Sequence, residues 1–293
     1  MRIKDSEYLS FVDKALEFCK EVPRFFSRFS NKVFCNHQKI VLLVLKQKLR
    51  TTYRDLVEFL KTSDLAMYIG LKRIPHHTTL VKFAKQIKPK LLDFLLPFRK
   101  AKMVGVDATG FEIENLSTHY QMRTARSIYR RHIKLTVSAD LDKQIILRQE
   151  IHKSPRHDTK DFIPSLKGIK TLFVCADKGY DSHKNHKFVI KKLKAKSLIK
   201  VRKNISTHYR STLRRKIANN FDEKTYHQRS KAETIFSVIK RKYGSCLKAR
   251  NFNTQKKEVL CKLIAYNIDR IINFYLLLKG FQHSRLKGSI FLF

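Results

Sequence analysis

The chain has no apolar run of about 18 residues or more, no cysteines in pairs and few acidic groups, and each lack removes a class of protein. The closest approach to a membrane-spanning run, Leu263 to Leu278, is broken by Asn267, Asp269, Arg270 and Asn273, so it reads as a soluble helix and no membrane partner is expected. Cys19, Cys35, Cys175, Cys246 and Cys261 form no CxxC and no zinc spacing, which points to reduced, buried or incidental thiols. The twelve histidines hold no HExxH pattern, and His76-His77 reads as a surface pair. The opening residues, Met1 to Glu7, lack the apolar stretch of a secretory signal, so a cytoplasmic protein is expected.

Asp and Glu number 24 against 63 Lys and Arg, a net charge of +39. Such a field stores self-repulsion unless a polyanion neutralises it, and nucleic acid is the expected partner. The charge is clustered: Lys178 to Lys203 holds ten Lys and Arg and one acid, while Gln121 to Lys134 and Lys240 to Arg250 hold basic residues and no acid. Membrane-surface and ribosomal proteins share this charge balance. Against a disordered basic tail stand 43% hydrophobic residues and 21 Phe, enough for a substantial core.

Tyr226, Arg229, Glu233 and Lys240 lie in a segment, Thr225 to Tyr243, that reads as one helix. Offsets of −7, −4 and +7 from Glu233 put the other three within roughly 40° of it. Ala232, Ile235, Phe236, Val238 and Ile239 take the opposite side, so the polar stripe is not a core face. Alone, the stripe reads better as a solvated face with an i,i+4 pair. A lone Glu cannot hold a catalytic metal, and two Asp at strand ends are the natural partners. Met103 to Val106 leads into Asp107, and the apolar run Thr171 to Ala176 leads into Asp177, where the chain emerges from a strand buried on both faces. Each Asp alone reads as a turn or cap residue.

Taken together, Asp107-Ala108-Thr109, Asp177-Lys178-Gly179-Tyr180 and Tyr226-x2-Arg229-x3-Glu233-x6-Lys240 resemble the DDE transposases of bacterial and archaeal insertion sequences, over residues 100 to 270. The resemblance implies an α/β, ribonuclease-H-like mixed sheet flanked by helices. It implies that Asp107, Asp177 and Glu233 are catalytic and bind Mg2+ or Mn2+, two ions in all. Tyr226, Arg229 and Lys240 would serve DNA contact and active-site support, with Lys178 and Arg241, which stand in the basic clusters, as further DNA contacts. The implied activity is metal-dependent cleavage and strand transfer on double-stranded DNA, at element ends and target, by a homodimer in the synaptic complex, in a prokaryotic, nucleoid-associated setting. Asp177 and Glu233 are too close in sequence for the large β-rich insertion of some relatives. With no Trp in the chain, a mechanism using a Trp from that insertion to hold a flipped base does not carry over. Asp181, Asp142, Asp158 and Glu112 remain as alternative ligands.

Residues 1–98 read as several short helices. Thr52 to Ile87 has the look of a helix-turn-helix, with Pro75 as punctuation, His76 to Ile87 as the reading helix, and Thr78, Thr79, Lys82, Lys85 and Gln86 offered to DNA. Residues 99–280 form the expected catalytic domain, in which three hairpin-linked strands, a helix and a strand set the first and fourth strands side by side. Residues 281–293 are read as a tail. Two other readings stay open: a metal-dependent nuclease without joining activity, and a non-catalytic DNA-binding protein derived from a transposase.

Overall fold

The computed structural model describes residues 6–96, 98–113, 132–153, 156–202 and 212–288, the side chains of 212 and 277–288 apart. The chain divides into two compact units, one formed by residues up to Leu95 and from Leu260 onward, the other by Leu96–Val259. The first contains helices α1 (Glu7–Phe18), α2 (Asn36–Lys48), α3 (Tyr53–Lys61), α4 (Leu65–Tyr68), α5 (His77–Gln86) and α6 (Pro89–Asp93). Capping boxes start two of them: Cys35 Sγ accepts from Gln38 N at α2, and Thr52 Oγ1 accepts from Asp55 N at α3. The core of α2 is a run, Ile40 to Leu45, buried throughout.

The second unit is built on a mixed sheet with strand order β3-β2-β1-β4-β5. Its elements are β1 (Met103–Ile113), β2 (His132–Asp140), β3 (Ile145–Lys153), α7 (Thr159–Leu166), β4 (Phe173–Ala176), a 3-10 turn at Lys178–Tyr180 and α8 (His183–Lys187). There follow a π-helical stretch at Phe188–Lys192, β5 (Lys196–Ile199), α9 (Thr212–Asn219), α10 (Glu223–Tyr226), a 3-10 turn at His227–Arg229, α11 (Ser230–Tyr243) and β6 (Cys246–Leu247). β1 pairs antiparallel with β2 and parallel with β4, so the first and fourth strands are neighbours, as the ribonuclease-H-like order requires. Helices flank both faces. Val104, Val106, Val174 and Ala176 meet Phe162 and Leu166 of α7 and Val189 on one side. On the other, Met103, Cys175 and Leu198 meet Leu141 and Ala232 of α11. Each large apolar side chain buried in this way contributes about 1.5–3 kcal/mol.

Two expectations need correcting. β1 does not stop at Asp107 but runs on to Ile113, because β2 pairs with it as far as Glu112 and the two-residue β6 picks up Glu112 and Ile113 on its other edge. The Glu233 segment is not one helix: a 3-10 turn separates α10 from α11. The final helix, α12 (Phe252–Gly288), contributes its residues from Leu260 onward to the first unit. There Asp269 takes Lys48 Nζ at 2.8 Å, and Glu7 takes the same ammonium at 2.5 Å. Helical periodicity cannot tell which neighbours a buried stripe will meet. The apolar residues Ile290 to Phe293 lie outside the described residues.

Candidate active site

Strand alternation decides which way the carboxylates point. In β1, Met103 faces the α11 side and Val104 and Val106 the α7 side, so Asp107 is on the α11 side. In β4, Cys175 faces α11 and Val174 and Ala176 face α7, which puts the next residue, Asp177, on the α11 side as well. Val106 and Ala176 are partners in the parallel ladder, so the two Asp follow at one level on neighbouring strands about 4.8 Å apart. β4 ends there, and among the described residues β1 has no further partner on that edge until β6. Ala232 packs against that same face and brings its neighbour Glu233 over the gap. Gly105 lets the chain close here, since a Cβ on it would fall 2.5 Å from Leu141 Cδ2.

The three carboxylates feel one another. Burial, with the charges of Glu233 and Asp177, draws the Asp107 carboxyl up to about 6, against the Ala108 N–H and Arg229, which favour its charged form. The Ala108 amide donates to Asp107 Oδ1 at 2.9 Å. Arg229 carries the counter-charge: its Nη2 is 2.9 Å from Glu233 Oε1. Although burial opposes its charge, Tyr226, Glu233, Asp177 and Asp107 together raise its pKa. The 3-10 turn helps to seat it, because three residues per turn stack position i over i+3, and the guanidinium lies 6.0 Å from the Tyr226 ring centroid. Lys200 approaches the same ring at 5.7 Å, and Phe221 meets it edge-on. Lys240, two turns beyond Glu233, stands 6.0 Å from the Phe111 ring centroid in β1.

The turn that carries Asp177 is pinned at successive carbonyls. Arg202 Nε donates to Lys178 O at 3.0 Å and its Nη2 to Gly179 O at 3.2 Å, while Asn185 Nδ2 donates to Tyr180 O at 2.8 Å. Behind it Asp181 is fully buried and accepts from the Arg202 amide at 3.0 Å and from Arg214 Nε at 3.1 Å, with His186 Nε2 at 3.0 Å. Asp181 is thus engaged in a structural network. Asp158 pairs with Lys134 Nζ at 2.6 Å, yet it faces the Asp177 turn: a Cβ on Gly179 would stand 3.6 Å from Asp158 Oδ2 and 4.0 Å from Asp177 Oδ2. Asp142 is exposed in the β2–β3 turn, and Glu112 lies near Cys246 Sγ at 3.7 Å.

All-oxygen donors suit a hard divalent cation. Among the described residues, however, no three His, Cys, Asp or Glu side chains are gathered into a group that could hold a metal ion as they stand. Glu233 is turned to Arg229 and has most of its side chain exposed. Lys178 and Arg241 are exposed. Lys134, in the basic cluster at 121–134, is buried in ion pairs with Asp158 and Asp161 and is not offered to solvent; residues 121–131 and 203 of the basic clusters lie outside the described residues.

In the helical unit, Thr78, Lys82, Lys85 and Gln86 are exposed on α5 and Thr79 is half-buried. The connection from α3 to α5 is longer than the three or four residues of a helix-turn-helix, because Leu65 and Ile69 bury an extra turn, α4, between them. All five cysteines are free. Among the described residues no helix is long and apolar enough to cross a membrane.

A family model described as transposase DDE domain matches residues 100–268, more than half of the chain. The chain belongs to the DDE transposase family. The match spans Asp107, Asp177 and Glu233 and all six strands. An uncharacterised protein of Aquifex aeolicus (strain VF5) is 22% identical over 303 residues, covering 94% of this chain and 91% of its own. Among solved structures, a piggyBac transposase synaptic complex with hairpin DNA aligns over 94% of this chain and 74% of that one, at 11% identity and a TM-score of 0.47.

Proposed function

We propose that this transposase cleaves DNA strands at the ends of an insertion sequence and joins the freed 3′ ends to target DNA, with Asp107, Asp177 and Glu233 as its catalytic carboxylates. The observation that carries the reading is the convergence of two neighbouring parallel strands and α11 on one face of the sheet, which offers three acids, remote in sequence, to one space. Those three side chains would hold Mg2+ or Mn2+, as a pair of ions, whose chemistry there is to lower the pKa of a bound water and to steady a leaving oxygen.

The chain's own residues do the rest. The Asp177 turn, pinned by Arg202 and Asn185, fixes one carboxylate on a rigid support, while Asp107 is fixed by the strand beneath it. Arg229 compensates the charge of the acids, and its planar fork suits a phosphate, to which it would turn if the acids held a cation. Lys240 adds charge along the path of the strand, and Tyr226 props the guanidinium. Double-stranded DNA is the partner, met also by Lys178, Arg241 and, in the helical unit, by Thr78, Thr79, Lys82 and Lys85. A homodimer would hold two ends together, as the family resemblance supports.

Glu233→Gln is expected to abolish Mg2+-dependent cleavage of element ends and to leave DNA binding within about twofold of wild type, a change of under about 0.4 kcal/mol. A fully active variant refutes the assignment. Joining is tested separately by strand transfer into a supercoiled target; cutting without joining would reduce the protein to a nuclease.

A further inference from the structure

The outer strand of the sheet, β3, ends in a basic pocket set apart from the three carboxylates. His152 and Lys153 close the strand, and Arg156, His157 and Lys160 lead into α7; together they line a cavity of about 470 Å3. The pocket straddles the strand edge. Glu150 and His152 face α7, where His152 Nε2 stands 3.4 Å from Asp161 Oδ1 and 3.6 Å from Glu150 Oε2. Lys153 faces the other way, 5.4 Å from the Phe252 ring centroid. Asp161, fully buried, also takes Arg156 Nε at 2.5 Å, and the Arg156 carbonyl accepts from Lys134 Nζ at 2.7 Å. One buried acid thus braces the back of the pocket and fixes Arg156 and His152, while Lys153, His157 and Lys160 are exposed at its mouth.

The ladder gives its place relative to the catalytic face. Asp107 pairs with Val137 and Val137 with Gln149, whereas Phe111 pairs with Ile133 and Ile133 with Lys153. Lys153 is therefore two strands across and four residues along from Asp107. At about 4.8 Å per strand and 3.3 Å per residue that separation is roughly 16 Å. It shares a row with Phe111, over which Lys240 lies. Arg229, Lys240 and Lys153 thus follow one another along the face that carries the acids.

We propose that this pocket binds a backbone phosphate of the DNA duplex about four to five base pairs from the scissile phosphate, the axial distance that 16 Å spans at about 3.4 Å per nucleotide of one strand. The proposal rests on the transposase reading for its ligand. The pocket supplies what a phosphodiester needs: a guanidinium held in position by a buried carboxylate and two exposed ammonium groups at its mouth. Its grip on the backbone carries no sequence information and sets the register of the duplex over the acids.

The test is the salt dependence of binding to a fluorescein-labelled DNA duplex, read by anisotropy with the full chain. For every phosphate that the protein no longer neutralises, the slope of log Kobs against log salt becomes shallower by about 0.9. Lys153→Gln with Lys160→Gln is expected to make the slope shallower by about 0.9, and Lys167→Gln with Lys170→Gln, exposed at the other end of α7, to leave it unchanged. An unchanged slope in the first pair overturns the proposal, as does an equal drop in the second, which would mean a diffuse field. Lys160→Gln alone, at an exposed position, carries the same test should the pair fail to fold. Glu233→Gln separates the two readings: its slope stays at the wild-type value whatever its cleavage activity, so a pocket without DNA and a site without catalysis give different results.

Discussion

Arg229 stands 2.9 Å from Glu233, one turn apart on the same helical segment, and its charge is also felt by Asp177 and Asp107 on the sheet below. One guanidinium therefore answers three acids. A lysine at 229 would keep the charge but lose the planar fork and the packing on the Tyr226 ring. Arg229→Lys is expected to slow single-turnover DNA cleavage by about 100-fold, the order found when one preorganised electrostatic donor is removed. Quenched-flow kinetics on an end-labelled substrate would measure it, and a rate within threefold of wild type would show that charge alone suffices.

Gly105 is the closest approach in the central strand. A methyl there meets Leu141 Cδ2 at 2.5 Å, inside a core where both neighbours are buried. Gly105→Ala is expected to cost about 1–3 kcal/mol of stability by overpacking. Adding Leu141→Ala should restore part of the loss by making room, although it opens a cavity of its own. Urea titrations of the two variants give the comparison.

Asp181 ties the pH dependence of stability to the turn beside Asp177. Burial opposes its charge, yet His186, the Arg202 amide and Arg214 hold its carboxyl down at about 2. A depressed carboxyl stabilises the fold above its unfolded value, near 4, and that contribution is lost as pH falls from about 4 toward 2. Asp181→Asn should remove this part of the acid transition. It should also cost about 3–5 kcal/mol at neutral pH, since Arg214 and His186 would be left without their anion. Thermal melts between pH 2 and 7, about the span of the carboxylate titration, would show a flatter acid limb in the variant.

Chelation tests the metal chemistry directly. Excess EDTA is expected to stop cleavage and leave duplex binding nearly intact, because most affinity comes from the basic surface. Mn2+ or Mg2+ should restore the rate, and Ca2+ should restore binding order without cleavage. Cleavage that persists in EDTA would remove the three acids from a metal-binding role.

The sequence made the elements of the site visible because each obeys a local rule. The apolar run before Asp177 could only be an inner strand, and the stripe from Tyr226 to Lys240 could only be helical. The extension of β1 past Asp107 was not visible, since Ala108, Thr109 and Gly110 show no strand alternation and are held there by pairing with Lys134 to Thr136. The same is true of β6: two residues carry no periodicity, and only the open edge of β1 makes them a strand.

What the sequence determined by itself was the chemistry on offer: a basic surface, and three acids at the ends of apolar runs or on a polar helix face. Those properties are local sums and periodicities, which a linear string contains. The tertiary structure alone decided that Asp107 and Asp177 directly follow the last rung of a parallel ladder, that Ala232, beside Glu233, packs on that face of the sheet, and that Asp181 is bound within the fold by two arginines and a histidine. Register and face are properties of pairs of segments far apart in the chain. They are fixed only when burial of both sheet faces selects one packing from the many that the same local patterns allow.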